Sequence, residues 1–357
     1  MKITKEKFTT FFTSHENYLK ISISFFLVTI FCLIFFIGGG LLYFRDDIYV
    51  DGFVNFDFQV HVIDVGQGDA ILIKLPSNKT LLIDCGEAEY TTQVISYINQ
   101  YMKNENLNKI DYFILTHSDA DHVGSGQSII ENFDVENIYR PKIYSIYEEE
   151  NDLNIENYNI STSQIYNNVI ESAYENNCNL IFSQKDIILQ ENGCKIEFLS
   201  PSADNYSKTN NYSAVIMITY QDKKFLFTGD AETDIEQQLI NDYGSYLKAD
   251  VLKVGHHGSK TSSSQEFLNI VKPSFALLCT GENSNNLPDV SVLNRLHDIN
   301  VNILSTEELG SYALAIRNNE IIISYEPQPI CDMVLLFSIF IVLLLIVWAC
   351  KFSWFKS

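Results

Sequence analysis

Hydrophobic and polar positions alternate along this chain on three length scales. The longest belongs to two runs, ISISFFLVTIFCLIFFIGGGLLYF at 21–44 and MVLLFSIFIVLLLIVWAC at 333–350, which contain no charged residue. As a helix the first is about 36 Å long at ~1.5 Å per residue, enough to cross a bilayer core of about 30 Å. Neither run has a polar face, so a helix half-packed on a soluble core is a poor fit. The pattern predicts a transmembrane helix over 21–44 and another over 331–350. A tail at 1–20, a linker at 45–56 and a tail at 351–357 then leave a domain at 57–327. Lys2, Lys5, Lys7 and Lys20 before the first run and Lys351 and Lys356 after the second put both termini on the cytoplasmic side of a cell membrane and the domain outside it.

Within the domain the scale shortens. FQVHVIDVGQGDAILIKL offers two strands around a turn at Gly66 and Gly68, KTLLIDCG a third ended by Gly86, and KIDYFILT a fourth that delivers His117. Helical spacing appears at Val94, Ile98, Tyr101 and Met102. The stretch 141–195 is rich in Asn, Glu, Ser and Tyr and predicts a helix near 162–176 with strands beyond. KIEFLSP, AVIMITY and KKFLFTGD restore the strand pattern, a helix follows with Ile235, Leu239 and Ile240 inward, and ADVLKV delivers Gly255-His256-His257. Helices at EFLNIV and SVLNRLHDI then alternate with strands at FALLCT and VNILS, and SYALAIR and EIIISYE close the domain. Strands dominate both halves and helices punctuate them, which implies sheets covered by helices.

Composition narrows the function classes. The chain has 357 residues, 46% of them hydrophobic, which suits a sizeable core. Its 45 acidic residues outweigh 24 basic ones, a net charge of -21 that repels polyanions at long range. No C-x-x-C zinc spacing occurs; Cys178 and Cys194 flank an expected hairpin and can pair if the domain is extracellular, or remain buried thiols.

Polar residues that follow strands sit at rigid places from which side chains converge. Here they are Asp64 and Asp69 around the first turn, Asp84, the HSDADH stretch from His117 to His122, Asp230, and His256-His257. All are metal-ligand types. A turn leaving a strand can aim 117 and 119 at one cation and 121 and 122 at another, with Asp230 bridging them and His256 completing the second position. A lone HSDADH would also read as an exposed polar turn; three clusters weigh against that. His15, His61 and His297 are given no role.

The ordered motifs HVIDVGQGDAILIKL, LLIDCG, ILTHSDADHVGS, LSP, NNYSAVIM, LFTGDAE and VLKVGHHGSKTSSS resemble the metallo-β-lactamase-fold domain of ComEC-type competence proteins, a DNA-uptake channel family, over roughly residues 57–325. The resemblance implies an α/β fold, a four-layer αββα sandwich. It implies hydrolysis, most plausibly of a phosphodiester, by a hydroxide bridging two divalent cations, Zn²⁺ or Mn²⁺. It gives His117 and Asp119 to the first metal, Asp121 and His122 to the second, Asp230 to the bridge and His256 to the last position, with His257 as the competing choice there. Asp121 also holds the attacking water and His257 is a candidate proton donor to the leaving group. Asp64, Asp69 and Asp84 support the centre, and Asn211, Ser213 and Lys260, with Lys253, are candidate outer or substrate contacts.

This sequence departs from the superfamily pattern in two places. Position 119 is usually His, and a further His ligand has no obvious counterpart, its region being occupied by Asn210, Asn211 and Ser213. Three imidazoles with three carboxylates make a harder site than an all-His zinc centre, so Mn²⁺ competes with Zn²⁺. Related domains commonly carry His-Pro where this chain has Leu287-Pro288. With one apolar run at each end, the chain is not itself a pore. The expected function is a bilayer-anchored phosphodiesterase or nuclease; the alternatives are a hydrolase of a small ester or lactone and a non-catalytic anchored binding domain.

Overall fold

The computed structural model describes residues 56–150, 161 and 163–325, which fall within one compact unit, Asp47–Pro327. Both apolar runs, and the topology drawn from them, lie outside the described residues; among those described, no helix is long and apolar enough to cross a membrane.

Two sheets carry the domain. The first takes β1 (Gln59–Val62), β2 (Ile71–Lys74), β3 (Thr80–Ile83), β4 (Lys109–Ile114), β5 (Asp134–Arg140) and β6 (Asn179–Phe182) from the first half, and β14 (Tyr312–Arg317) and β15 (Glu320–Tyr325) from the end of the chain, in the order β15-β14-β1-β2-β3-β4-β5-β6. The second runs β13-β12-β11-β10-β9-β8-β7, with β7 at Ile188–Glu191, β8 at Cys194–Ser200, β9 at Val215–Tyr220, β10 at Lys223–Phe227, β11 at Val251–Lys253, β12 at Phe275–Leu278 and β13 at Asn302–Ser305. β3 to β6 are mutually parallel, as are β10 to β13.

The near-continuous apolar strands follow from burial on both faces. In β2, Ile71 and Ile73 point into the core between the sheets while Leu72 points to the outer face. Phe198, Ile216, Phe225 and Val251 meet them from the second sheet. Outside the first sheet lie α1 (Thr91–Glu105), α2 (Ala120–Val123), α3 (Gly126–Asn132), α4 (Ile146–Glu150) and α5 (Gln164–Glu175); Val94, Ile129 and Val169 seal them to it. Outside the second lie α6 (Thr233–Tyr243), α7 (Gln265–Val271) and α8 (Val290–Asp298), sealed by Ile235, Phe267 and Val292; α9 (Thr306–Leu309) follows β13. The expected αββα layering is thus present.

The helix expected near 162–176 is α5, started by Ser163, whose side chain accepts from Tyr166 N. Strand β5 has no counterpart in the sequence reading: DVENIYR mixes polar and apolar residues because Asp134, Glu136 and Asn137 stay partly or fully exposed while Val135, Ile138, Tyr139 and Arg140 are buried. Cys178 and Cys194 are free thiols. They do not pair, because Cys194 is in the core between the sheets and Cys178 packs in the layer outside the first.

Candidate metal centre

The centre forms beyond the carboxyl ends of parallel strands, the usual place for ligands in open α/β sheets. β3 delivers Asp84 in a left-handed conformation (φ 55°). Its carboxylate, fully buried, takes Thr116 N at 2.8 Å on Oδ1 and Thr116 Oγ1 at 2.6 Å and His122 Nδ1 at 2.8 Å on Oδ2. The Thr116 hydroxyl has a single proton and gives it to Asp84, so it accepts from His117 Nδ1 at 3.0 Å. One buried carboxylate therefore fixes two imidazoles, each with Nδ1 protonated and Nε2 turned inward.

The first turn packs on this loop. Asp69 N donates to Asp121 O at 3.2 Å. Gly68 is required there: a Cβ would stand 2.4 Å from that same carbonyl oxygen. Asp69 Oδ2 in turn holds Lys253 Nζ at 2.6 Å.

From the second sheet come Asp230 and the histidine doublet. Asp230 N donates to Ser213 Oγ at 3.0 Å. His256 and His257 are consecutive left-handed residues (φ 49° and 51°), a conformation costing of order 1–3 kcal/mol per residue where function retains it. Their rings stand 77° apart. His257 is fully buried and its Nδ1 donates to Cys279 O at 2.8 Å. Its Nε2 lies 3.3 Å from Asp121 Oδ2, 3.6 Å from Asp230 Oδ1 and 3.1 Å from His122 Nε2, which is 3.2 Å from Asp230 Oδ1. His256, partly exposed, points elsewhere: its Nε2 is 3.6 Å from Asp230 Oδ2. His257 rather than His256 therefore stands with Asp121 and His122, because the left-handed pair splays the two side chains apart. His117 Nε2 lies 3.8 Å from both Asp119 Oδ2 and Asp230 Oδ2.

These side chains fit cations. His117 Nε2, Asp230 Oδ1 and Asp69 Oδ1 are buried without a hydrogen-bond partner, an arrangement costly in itself. With Nδ1 of both rings donating, His122 and His257 bring their Nε2 atoms to 3.1 Å, where they share a proton, and a cation can take that proton's place. Ligand atoms at ~2.0–2.1 Å from a tetrahedral cation stand about 3.3–3.5 Å apart, and Asp121, His122, Asp230 and His257 offer atoms that all lie within 4.8 Å of one another.

Protonation follows the same crowding. Burial alone would hold His122 neutral, but Asp230, Asp84 and Asp121 raise its pKa well above the usual value; His257 is raised by Asp230 and Asp121 against the same burial. Burial, reinforced by His122, keeps His117 well below. Burial disfavours the Asp121 and Asp230 carboxylates, yet His122 and His257 pull both below the ordinary range. Lys253 stays charged through Asp69 and Asp230 despite burial.

The remaining candidates fall outside this cluster. Asp64 is half-buried and accepts Gly66 N at 3.1 Å, pinning the first turn. Asn211 Oδ1 accepts Glu232 N at 3.3 Å. Lys260 is exposed. Lys253 is 1% exposed and donates to Asp69 and, at 3.1 Å, to Gly229 O, so it faces the centre's interior instead of a substrate. The serines of KTSSS are also engaged: Ser262 Oγ donates to Ala231 O, Ser263 Oγ accepts Gly255 N and Ser264 starts α7. The sequence reading missed Thr116 and the Cys279 carbonyl; a hydroxyl directly before His117 was the available signal for the first, and nothing signalled the second. Beside Asp119 opens a cleft of about 690 Å³ whose walls include Ser118, Ser161, Ser163, Ser207, Thr209 and Tyr206, with no lysine or arginine among the described residues that line it.

A family model described as the Metallo-beta-lactamase superfamily matches residues 63–282. ComE operon protein 3 of Bacillus subtilis (strain 168) is 27% identical over 274 residues, 73% of this chain and 33% of that protein. Competence protein ComA of Neisseria gonorrhoeae is 30% identical over 71% of this chain and 31% of its own length, and Recombination protein 2 of Haemophilus influenzae is 31% identical over 67% and 26%. The chain thus spans about a third or less of the length of these relatives.

Proposed function

The chain belongs to the metallo-β-lactamase superfamily, and from that premise we propose that it is a membrane-anchored hydrolase of phosphodiesters working with two divalent cations. The observation that carries this reading is the convergence of buried, unpartnered ligand atoms, His117 Nε2 and Asp230 Oδ1 among them, beside an open cleft. Asp121, His122, Asp230 and His257 would hold one cation; His117 and Asp119 would begin a second set on the other oxygen of Asp230. Zn²⁺ and Mn²⁺ both suit this mixed donor set. Cations held there would bring the pKa of water toward neutrality and offset charge on a phosphoryl oxygen.

The chain's own residues do the rest. Asp84, through Thr116 and His122, and the Cys279 carbonyl, through His257, lock the ring orientations. Asp121, about a fifth exposed, would orient the attacking water. His257 is buried and pinned at Nδ1, so it would serve as a ligand and not as a proton donor, and leaving-group protonation goes to water in the cleft. The hydroxyl-lined wall suits phosphate oxygens and sugar hydroxyls. Nucleic acid as substrate is supported by relatives whose names are competence and recombination proteins. The net charge of -21 and a cleft wall without lysine or arginine among the described residues favour a short or small phosphodiester over a long duplex. The apolar segments 21–44 and 331–350 are the proposed anchors, with the domain outside the cytoplasm.

Bis-p-nitrophenyl phosphate and single-stranded DNA, each offered to the purified chain with Mn²⁺ or Zn²⁺, test the reading. Turnover that disappears on chelation and returns with metal is expected. Stoichiometric metal with no turnover of either substrate, or of a lactone, would make the domain a binding module.

A further inference from the structure

We infer that the histidine doublet is divided between the two cations, His257 serving one and His256 supplying the third protein side chain of the other alongside His117 and Asp119. The two oxygens of Asp230 have different company. Around Oδ1 stand His122 Nε2 at 3.2 Å and His257 Nε2 at 3.6 Å, with Asp121 next to His257. Around Oδ2 stand His256 Nε2 at 3.6 Å and His117 Nε2 at 3.8 Å, with Asp119 next to His117. Each set then holds one histidine and one aspartate from the HSDADH turn, one histidine from the doublet and one oxygen of Asp230. The position that looks one ligand short in the sequence is filled from an unexpected place.

Second partners point the same way. His256 Nδ1 lies 3.2 Å from the Thr261 hydroxyl, which can accept its proton, and 3.2 Å from Asn210 Nδ2. Donation from Nδ1 to Thr261 leaves Nε2 with a lone pair facing Asp230, as in His117. Asn210, which stands in the region of the absent histidine ligand, acts here through His256. The two successive left-handed backbones also gain a purpose: an ordinary turn would not send neighbouring side chains to opposite sides of one carboxylate.

This inference rests on the reading that the centre holds divalent cations, and metal analysis separates the two. The full-length chain is loaded with Mn²⁺, freed of excess ion and assayed for bound metal by mass spectrometry and for coupling between ions by electron paramagnetic resonance. His256→Asn and His256→Gly are the variants, since both residues accept the left-handed backbone; circular dichroism checks their fold. Two equivalents and an exchange-coupled spectrum are expected for the wild type. Each His256 variant should keep one equivalent with the spectrum of an isolated ion, and His117→Ala/His256→Gly should lose no more than either change alone. His257→Gly/His256→Gly should lose both ions. His256 variants that retain all the metal the wild type binds, with the coupled spectrum, would overturn the division of the doublet while leaving the metal reading intact. A wild type that binds no divalent ion would overturn both.

Discussion

Among the described residues, two places bury histidine completely, and they treat the ring nitrogens in opposite ways. His61 on β1 faces α1, where Nε2 donates to Gln59 Oε1 at 3.0 Å and Nδ1 accepts from Tyr97 Oη at 2.8 Å. Every polar atom of that ring is satisfied by the protein, and burial lowers its pKa to about 3. His117, His122 and His257 are buried as deeply, yet each spends Nδ1 on an anchor and turns Nε2 toward carboxylates and other imidazoles. Residue type and burial are the same in both places. What the second nitrogen faces, a neutral side chain at His61 against carboxylates and other imidazoles in the cluster, separates a structural histidine from one held ready for a cation.

The largest expected effect lies at the bridge. Asp230→Asn should remove metal-dependent turnover, exceeding the ~10–100-fold loss typical of an outer partner, and should cut bound metal in the same preparation. Unchanged turnover in that variant would erase the contrast. His61→Ala should do the reverse, costing about 3 kcal/mol of stability through a cavity and two unpaired partners while bound metal, measured by mass spectrometry, stays at the wild-type level. Thr116→Val tests the anchors: it breaks the link from Asp84 to His117 and should weaken metal binding by ~10–100-fold in a competition titration with a chelator, with little change in melting temperature.

The smallest effect concerns pH. The His61 pKa is about 3 in the folded chain against 6.5 unfolded, so as pH falls the unfolded state takes the proton first. The contribution of His61 is full above 6.5 and declines by about 1.4 kcal/mol per unit below it. Between pH 6.5 and 5 the wild type should lose about 2 kcal/mol more than His61→Gln in denaturant unfolding of the metal-free proteins. Equal losses would show that His61 is not held neutral.

Much of this was readable beforehand, and the rest has physical reasons. Asp84, the HSDADH turn, Asp230 and the doublet were visible because each follows an apolar strand, and strand ends are where a sandwich can converge side chains. The division of the doublet was not, since it depends on two φ angles near +50° that no residue pattern around GHHG announces. Lys253 looked like a phosphate contact because lysine near a site is usually exposed; here β11 turns it inward to Asp69. Strand β5 was hidden by Asp134, Glu136 and Asn137, polar residues tolerated where the strand face meets solvent. The His61 environment required knowing that Tyr97 of α1 lies over β1, a contact between elements far apart in the sequence.

The central claim is that the buried histidines whose Nε2 atoms face carboxylates hold cations that support hydrolysis. The direct measurement strips the full-length chain with a chelator, returns Mn²⁺ or Zn²⁺ in steps, and follows bound metal and bis-p-nitrophenyl phosphate hydrolysis in the same samples. The account predicts a rate that climbs with occupancy and levels off at two equivalents. A chain that fills with metal and shows no hydrolysis, or hydrolyses equally well when stripped, would contradict it.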